Sequence, residues 1–290
     1  MNQIEPYGSG KIKWVSTEWL NVHLNEEEMI IVDVQPNIHD YIAEHIPGAI
    51  YIPEGVLRSH RGHLPCEFVA EEAIEPVFRQ AGLKKGIPIV VYTGTSVFKG
   101  WGDGLEQTMM AYSMVRFDLD TVYVLDGGLD KWKAEGKSLS QEFPTAMESD
   151  FNAVMEPDFR IDYETFKAVK DKSNVILVDA RPPEVYRGKG PWRKPGHIPG
   201  AINIPWPSFM DTRNRSLLKP HEEILRIIEK IGIGRDNMVI WYCGTGREAI
   251  NPFILFKWYF DYPDVKIYEG SFTEWTAYPG NPTVTGPDPR

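Results

Sequence analysis

The chain repeats itself, and the repeat limits what it can fold into. "IIVDVQPNIHDYIAEHIPGAIYIP", from Ile30, is matched by "VILVDARPPEVYRGKGPWRKPGHIPGAINIP", from Val175. "IPIVVYTGT", from Ile87, is matched by "NMVIWYCGT", from Asn237, and "VYVLDGGLDKW" by "VKIYEGSFTEW". The matched blocks keep one order, at a period of roughly 150 residues, which is the size of a domain and not of a solenoid unit. Residues 1–136 and 158–290 read as two copies. The polar, proline-containing stretch 137–157 between them reads as a linker. In each copy short, wholly apolar runs alternate with helical stretches. "HEEILRIIEKIG", for example, places Ile224, Ile227, Ile228 and Ile231 on one helical face and closes with Gly232. Apolar strands separated by helices imply an α/β fold, with each copy a parallel sheet flanked by helices on both faces.

A chain of 290 residues accommodates two such domains, and 42% hydrophobic residues suffice for their cores. The net charge of −10, without a basic tract, argues against nucleic acid as a partner. "FILFKWYF" is short and broken by Lys257, so no membrane span is expected. The first residues lack the apolar core of a signal peptide, and the expected compartment is the cytoplasm. Two cysteines do not make a disulfide framework. Cys66 reads as an idle thiol, and nothing favours a bridge to Cys243.

Cys243 is different. It ends an apolar strand and opens the turn "CGTGRE". In an open α/β sheet the ligand crevice lies beyond the carboxyl ends of the strands. Gly244 and Gly246 free the backbone to turn N–H groups inward. A helix beginning near Glu248 or Ala249 would add its positive end, and Arg247 a full charge. These features favour a thiolate and a cradle for an anion carried on it, the design of an activated nucleophile. The first copy has Thr93 at this position. One copy reads as working and the other as retired.

"HIPGAINIP" after "VDAR", with a strand ending in Cys and a short Gly-rich loop, resembles the rhodanese sulfurtransferases, in their tandem form with an inactive first copy. The resemblance implies that Cys243 accepts a sulfane sulfur as a persulfide and passes it on. The donor it implies is thiosulfate or a related small anion, with 3-mercaptopyruvate as the alternative. The implied acceptor is a thiol or cyanide-like nucleophile, with thioredoxin or another sulfur-carrier protein among the candidates. The Cys-dependent phosphatases, some of which share the fold, need an Arg six residues after the Cys to clamp phosphate. Here Ala249 stands at that position.

The loop departs from the family pattern. Gly244-Thr245 is similar to the mercaptopyruvate enzymes, but Arg247-Glu248 replaces the usual Val-Thr, and Val185 stands where a substrate-binding Arg usually precedes the aromatic Tyr186. The expected donor-binding set is therefore Gly244, Thr245, Gly246, Arg247, Glu248, Arg181 and Arg187. Arg181 also reads as one half of an internal ion pair. Arg187 opens the basic insertion "RGKGPWRK", which only the second copy carries and which reads either as a solvated face or as a steering charge. His197 and Asp179 repeat as His45 and Asp33 in the copy without a Cys, so both read as architectural. No metal or nucleotide cofactor is expected. Arg247-Glu248 also fits a non-enzymatic module that uses Cys243 as a redox sensor or persulfide carrier.

Overall fold

The computed structural model describes residues 5–24, 26, 28–100, 102–156 and 158–290. The chain forms two compact units. The first comprises Met1–Arg58, Phe68–Glu156 and Met210–Leu218, and the second Ser59–Glu67, Pro157–Phe209 and Lys219–Arg290. Each copy therefore gives a short segment to the unit built by the other.

In chain order the first copy holds β1 (Ile12–Val15), β2 (Ile30–Asp33), β3 (Ala49–Tyr51), the hairpin β4 (Arg58–Arg61) and β5 (Leu64–Phe68), β6 (Ile89–Tyr92) and β7 (Val122–Leu125). Its five-stranded sheet has the order β1-β7-β6-β2-β3 and is parallel throughout. The second copy holds β8 (Val175–Asp179), β9 (Ile202–Asn203), β10 (Met238–Tyr242) and β11 (Val265–Ile267). Its sheet, β11-β10-β8-β9, is also parallel. The fifth strand is reduced there to a single bridge, Arg160 to Ile267. Helices flank both sheets, as the alternating pattern requires.

Burial explains the strand composition. All four residues of β6 are buried, as expected for a strand covered on both faces. One face of β10 packs Ile240 and Tyr242 against Phe166, Phe272 and Trp275. The corresponding cluster of the first copy holds Val90, Tyr92, Leu129 and Trp132. The isoleucine-rich helix spans His221–Ile231, buries Ile224 and Ile228, and ends at Gly232 in the left-handed conformation. No described helix is long and apolar enough to cross a membrane.

The stretch read as a linker is fastened along the first unit. Ser140 N–H donates to the His45 carbonyl at 2.8 Å and Ser149 N–H to Arg79 at 3.0 Å. Ala153 N–H donates to the Glu75 carboxylate at 3.0 Å, and Phe151 is buried. The sequence shows no periodicity there because the segment is extended and bonded to helices instead of forming an element of its own.

Both histidines of the repeat do the same work. His45 stacks on Tyr41 and His197 on Tyr186. The His197 ring nitrogens lie 3.0 Å from the Tyr186 carbonyl and 3.1 Å from that of Asp288. Those of His45 lie against the carbonyls of Tyr41 and Glu142. With both nitrogens engaged by backbone, His197 orients a turn.

Candidate active site

Parallel pairing sets the site. Tyr242 and Asp179 are register partners at the carboxyl ends of β10 and β8, so the residues that follow them, Cys243 and Arg181, emerge at one edge. Cys243 has no exposed surface. Gly246 N–H donates to its Sγ at 3.1 Å. Its own N–H donates to Ser271 Oγ at 3.1 Å, and its carbonyl accepts from Phe272 N–H at 3.0 Å.

The two glycines of the loop are required for different reasons. Gly246 has φ +82°, which turns its N–H back to the sulfur. A Cβ on Gly244 would lie 2.5 Å from the indole of Trp192. The indole N–H of Trp192 donates to Thr273 Oγ1 at 2.9 Å, and that hydroxyl donates to the Gly244 carbonyl at 2.8 Å. Trp192 belongs to the insertion unique to the second copy. The insertion therefore gives the site an aromatic cover. Its lysine Lys194 is spent on the carbonyls of Tyr278, Pro279 and Asn281. Arg187 is exposed where the short helix Pro183–Tyr186 ends, and its carbonyl accepts from Gly286 N–H. Lys194 thus serves chain closure, Arg187, Lys189 and Arg193 stay exposed, and Trp192 is the residue of the insertion that meets the loop.

Arg181 is buried, 1% exposed, in the ion pair read from the sequence. Its Nε donates to both oxygens of Asp179 at 3.0 and 3.1 Å. Its Nη2 donates to Asp179 at 2.6 Å and to the Gly196 carbonyl at 2.9 Å. Burial alone would weaken the guanidinium as a base, but Asp179 keeps it charged, and Cys243 contributes to the same effect. The guanidinium carbon sits 4.0 Å from the centre of the Phe272 ring and 5.0 Å from that of Trp192. Its Nη1 is buried and makes no hydrogen bond within the protein.

The helix after the loop begins at Ile250, later than the sequence indicated, because the chain first makes a turn at Glu248 and Ala249. Glu248 therefore stays in the turn, half-buried, with its carboxyl bonded to the Cys243 side chain and the Gly244 N–H. Burial pushes this carboxyl up to about 7; Asp179 adds to the rise and Arg181 opposes it. Arg247 and Thr245 are half-buried beside it.

Sequence reasoning missed Ser271, Trp192 and Thr273. Ser271 has φ +53°, a left-handed conformation that costs a non-glycine residue on the order of 1–3 kcal/mol. Its hydroxyl donates to the Tyr268 carbonyl at 2.9 Å while accepting from Cys243. The matching residue of the first copy is Gly128, at φ +56°. That Gly-to-Ser mismatch within the repeat was the available signal. Among the described residues no cluster of three or more His, Cys, Asp or Glu side chains could hold a metal.

Comparison with known proteins gives the family of this fold. The rhodanese-like domain family matches the chain twice, over residues 16–135 and 162–278. A Synechococcus elongatus protein named "Putative thiosulfate sulfurtransferase" is 35% identical over 96% of this chain and 86% of its own. The 3-mercaptopyruvate sulfurtransferase of Escherichia coli K12 is 27% identical over 91% of this chain and 95% of its own. Among solved structures, wild-type EanB superposes with a TM-score of 0.82 at 24% identity, covering 94% of this chain and 69% of that one. The chain belongs to the rhodanese family, in the tandem-domain form related to the thiosulfate and 3-mercaptopyruvate sulfurtransferases.

Proposed function

We propose that the chain moves a sulfane sulfur from a small anionic donor, thiosulfate or 3-mercaptopyruvate, to a thiophilic acceptor through a persulfide on Cys243. One observation carries the reading: the buried, unpartnered Nη1 of Arg181, a charged donor left over on a guanidinium whose field reaches Cys243. An isolated buried N–H of a cation is costly unless something takes its hydrogen bond. The terminal sulfur of a persulfide, or an oxygen of the donor, is a suitable acceptor. The Gly246 N–H at 3.1 Å supports negative charge on the Cys243 Sγ.

With thiosulfate, the Cys243 thiolate attacks the outer sulfur, the S–S bond breaks, and the electron pair leaves on sulfite. The acceptor thiol or cyanide then attacks the outer sulfur of the persulfide and returns Cys243 as a thiolate. Thioredoxin or another sulfur carrier could act as this acceptor. Arg247 and Thr245, half-buried in the same loop, complete the proposed binding set for the donor's anionic end with Gly244, Gly246 and Arg181. Two cysteines in an acidic chain suit a reducing compartment such as the cytoplasm.

The test is intact mass after incubation with thiosulfate and, separately, with 3-mercaptopyruvate. The expected result is a gain of one sulfur, removed by cyanide and absent in Cys243→Ser. A gain that persists in the folded Cys243→Ser protein would sink the assignment.

A further inference from the structure

The geometry points to Glu248 as the proton-transfer residue of the Cys243 site, suited to a sulfur donor whose leaving group is a carbon atom that must be protonated. This rests on the reading that Cys243 carries the sulfur, and it deepens that reading by choosing a donor class.

The carboxyl of Glu248 touches the reacting atom. It is bonded to the Cys243 side chain and to the Gly244 N–H, from a turn that begins one residue after Arg247. Other groups near the sulfur are committed elsewhere. Asp179 holds Arg181 through three hydrogen bonds. Tyr242 accepts from the Ile198 N–H through its hydroxyl, and burial holds its proton on far above the ordinary range. Both ring nitrogens of His197 face backbone carbonyls. The charged groups around Glu248 are Asp179 and Arg181 from the end of β8 and Arg247 beside it in the loop. Burial and Asp179 outweigh Arg181, so Glu248 can gain and lose a proton near neutrality. In the retired copy Phe98 stands at this position and is 59% exposed, so no carboxyl reaches Thr93 from there.

The chemistry balances as follows. The Cys243 thiol gives its proton to the Glu248 carboxylate, leaving a thiolate beside a neutral acid. The pair then holds one proton between them. The thiolate attacks the sulfur of a β-mercapto-α-keto acid. The S–S bond forms, the C–S bond breaks, and its electron pair stays on carbon as an enolate. Glu248 protonates that enolate to the methyl of an α-keto acid. Sulfur is oxidised from the thiol to the sulfane level, and the carbon it leaves is reduced, so no outside oxidant is needed. Thiosulfate releases sulfite, which needs no proton, and so serves as the internal control.

The experiment measures persulfide formation by wild type, Glu248→Gln and Glu248→Asp, with thiosulfate and with 3-mercaptopyruvate, from pH 5.5 to 9, alongside thiolate absorbance. Glu248→Gln removes a negative charge from beside the sulfur, so the thiolate should appear at lower pH than in wild type. Its 3-mercaptopyruvate reaction should fall at least a hundredfold, the lower end of general acid–base contributions, and at least tenfold further than its thiosulfate reaction, which needs the carboxyl for the thiol proton alone. Glu248→Asp should recover part of that loss. An equal loss with both donors, or none with 3-mercaptopyruvate, overturns the proposal. So does a wild-type chain that takes sulfur from thiosulfate alone, and sulfur transfer itself would then still stand. If wild type takes sulfur from neither donor, the sulfur-transfer reading fails. The titration then decides the proton link by itself: an unmoved thiol midpoint in Glu248→Gln removes it.

Discussion

The loops after β6 and β10 occupy the same place in two copies of one fold, and they treat a possible ligand in opposite ways. After β10 the Gly246 N–H points at a sulfur and one guanidinium nitrogen is left over. After β6 the chain satisfies itself. Asp40 takes the N–H groups of Val97 and Phe98 at 2.9 and 3.3 Å, as well as the Ser96 hydroxyl. The Thr93 hydroxyl donates to the Val34 carbonyl at 3.2 Å. Gln35 replaces Arg181 and bonds Asp33 without charge. Residues 214–216 press against glycines that follow β6 and β7: Ser216 accepts from Gly127 N–H, and the Arg215 backbone lies under 3 Å from where a Cβ on Gly104 would stand. The difference teaches that the two loops part by more than a thiol: one fold carries both, and after β6 Asp40, Val34 and Asp33 take up the donors named.

The sharpest way to break the comparison is to give the second copy the residue of the first. Cys243→Thr should abolish persulfide formation, by a thousandfold or more in rate, with the circular dichroism spectrum unchanged. Arg181→Gln installs the pair found at Asp33 and Gln35. It leaves Asp179 buried without its cation, which should cost about 3–5 kcal/mol in denaturant unfolding. The same change should lower kcat/KM roughly a hundredfold, because the thiolate loses its buried cation.

Asp33 sharpens the contrast from the other side. Without a paired guanidinium, burial pushes its carboxyl up to about 6, against hydrogen bonds from Tyr92 and Gln35 and the nearby His45 that pull it down. A carboxyl raised on folding stabilises the native state most below its unfolded value. That contribution is complete below about pH 4 and is lost as pH rises through about 6, roughly 3 kcal/mol at ~1.4 kcal/mol per pH unit. Asp33→Asn should therefore flatten the fall in Tm between pH 4 and 7, measured by thermal denaturation. An unchanged slope would locate the pH dependence elsewhere.

Arg247→Ala removes a charge that the first copy lacks at the matching Val97. A charge-assisted contact of about 1.5–3 kcal/mol corresponds to a ten- to hundredfold loss in kcat/KM with an anionic donor. Arg247→Lys should recover only part of it. Thr93→Cys should do nothing: one sulfur per chain in the mass spectrum, as in wild type. Two sulfurs would show that the covered loop remained competent.

The duplication, the strands and the end of β10 were legible because each is written in a few contiguous residues. An apolar run of five followed by Cys and Gly states both a strand and a sheet edge. The shared His-Ile-Pro-Gly-Ala correctly pointed to a structural histidine. The rest depends on distance along the chain. Trp192 explains Gly244 only once residues 52 apart in sequence are in contact. The orphan nitrogen of Arg181 is visible only after its other donors have been assigned. Glu248 faces inward because the helix starts late, and no propensity rule fixes a helix start to one residue. The polar stretch 137–157 reads only as a linker, since the bonds at Ser140, Ser149 and Ala153 to residues far back in the chain leave no periodic mark.

The segment Met210–Leu218 carries a consequence for how the chain is made. The first unit is not complete when its own copy of the repeat has left the ribosome; its last segment is encoded in the second. At ordinary rates of synthesis the intervening stretch takes on the order of several seconds. For that time the N–H and carbonyl of Gly127 and the side-chain amide of Gln107, which Ser216 and Asn214 later bond, wait uncovered. Folding from the amino terminus must therefore pause in an open form that the nascent second copy closes. Separating the two genes' worth of sequence would leave the first product permanently in that form.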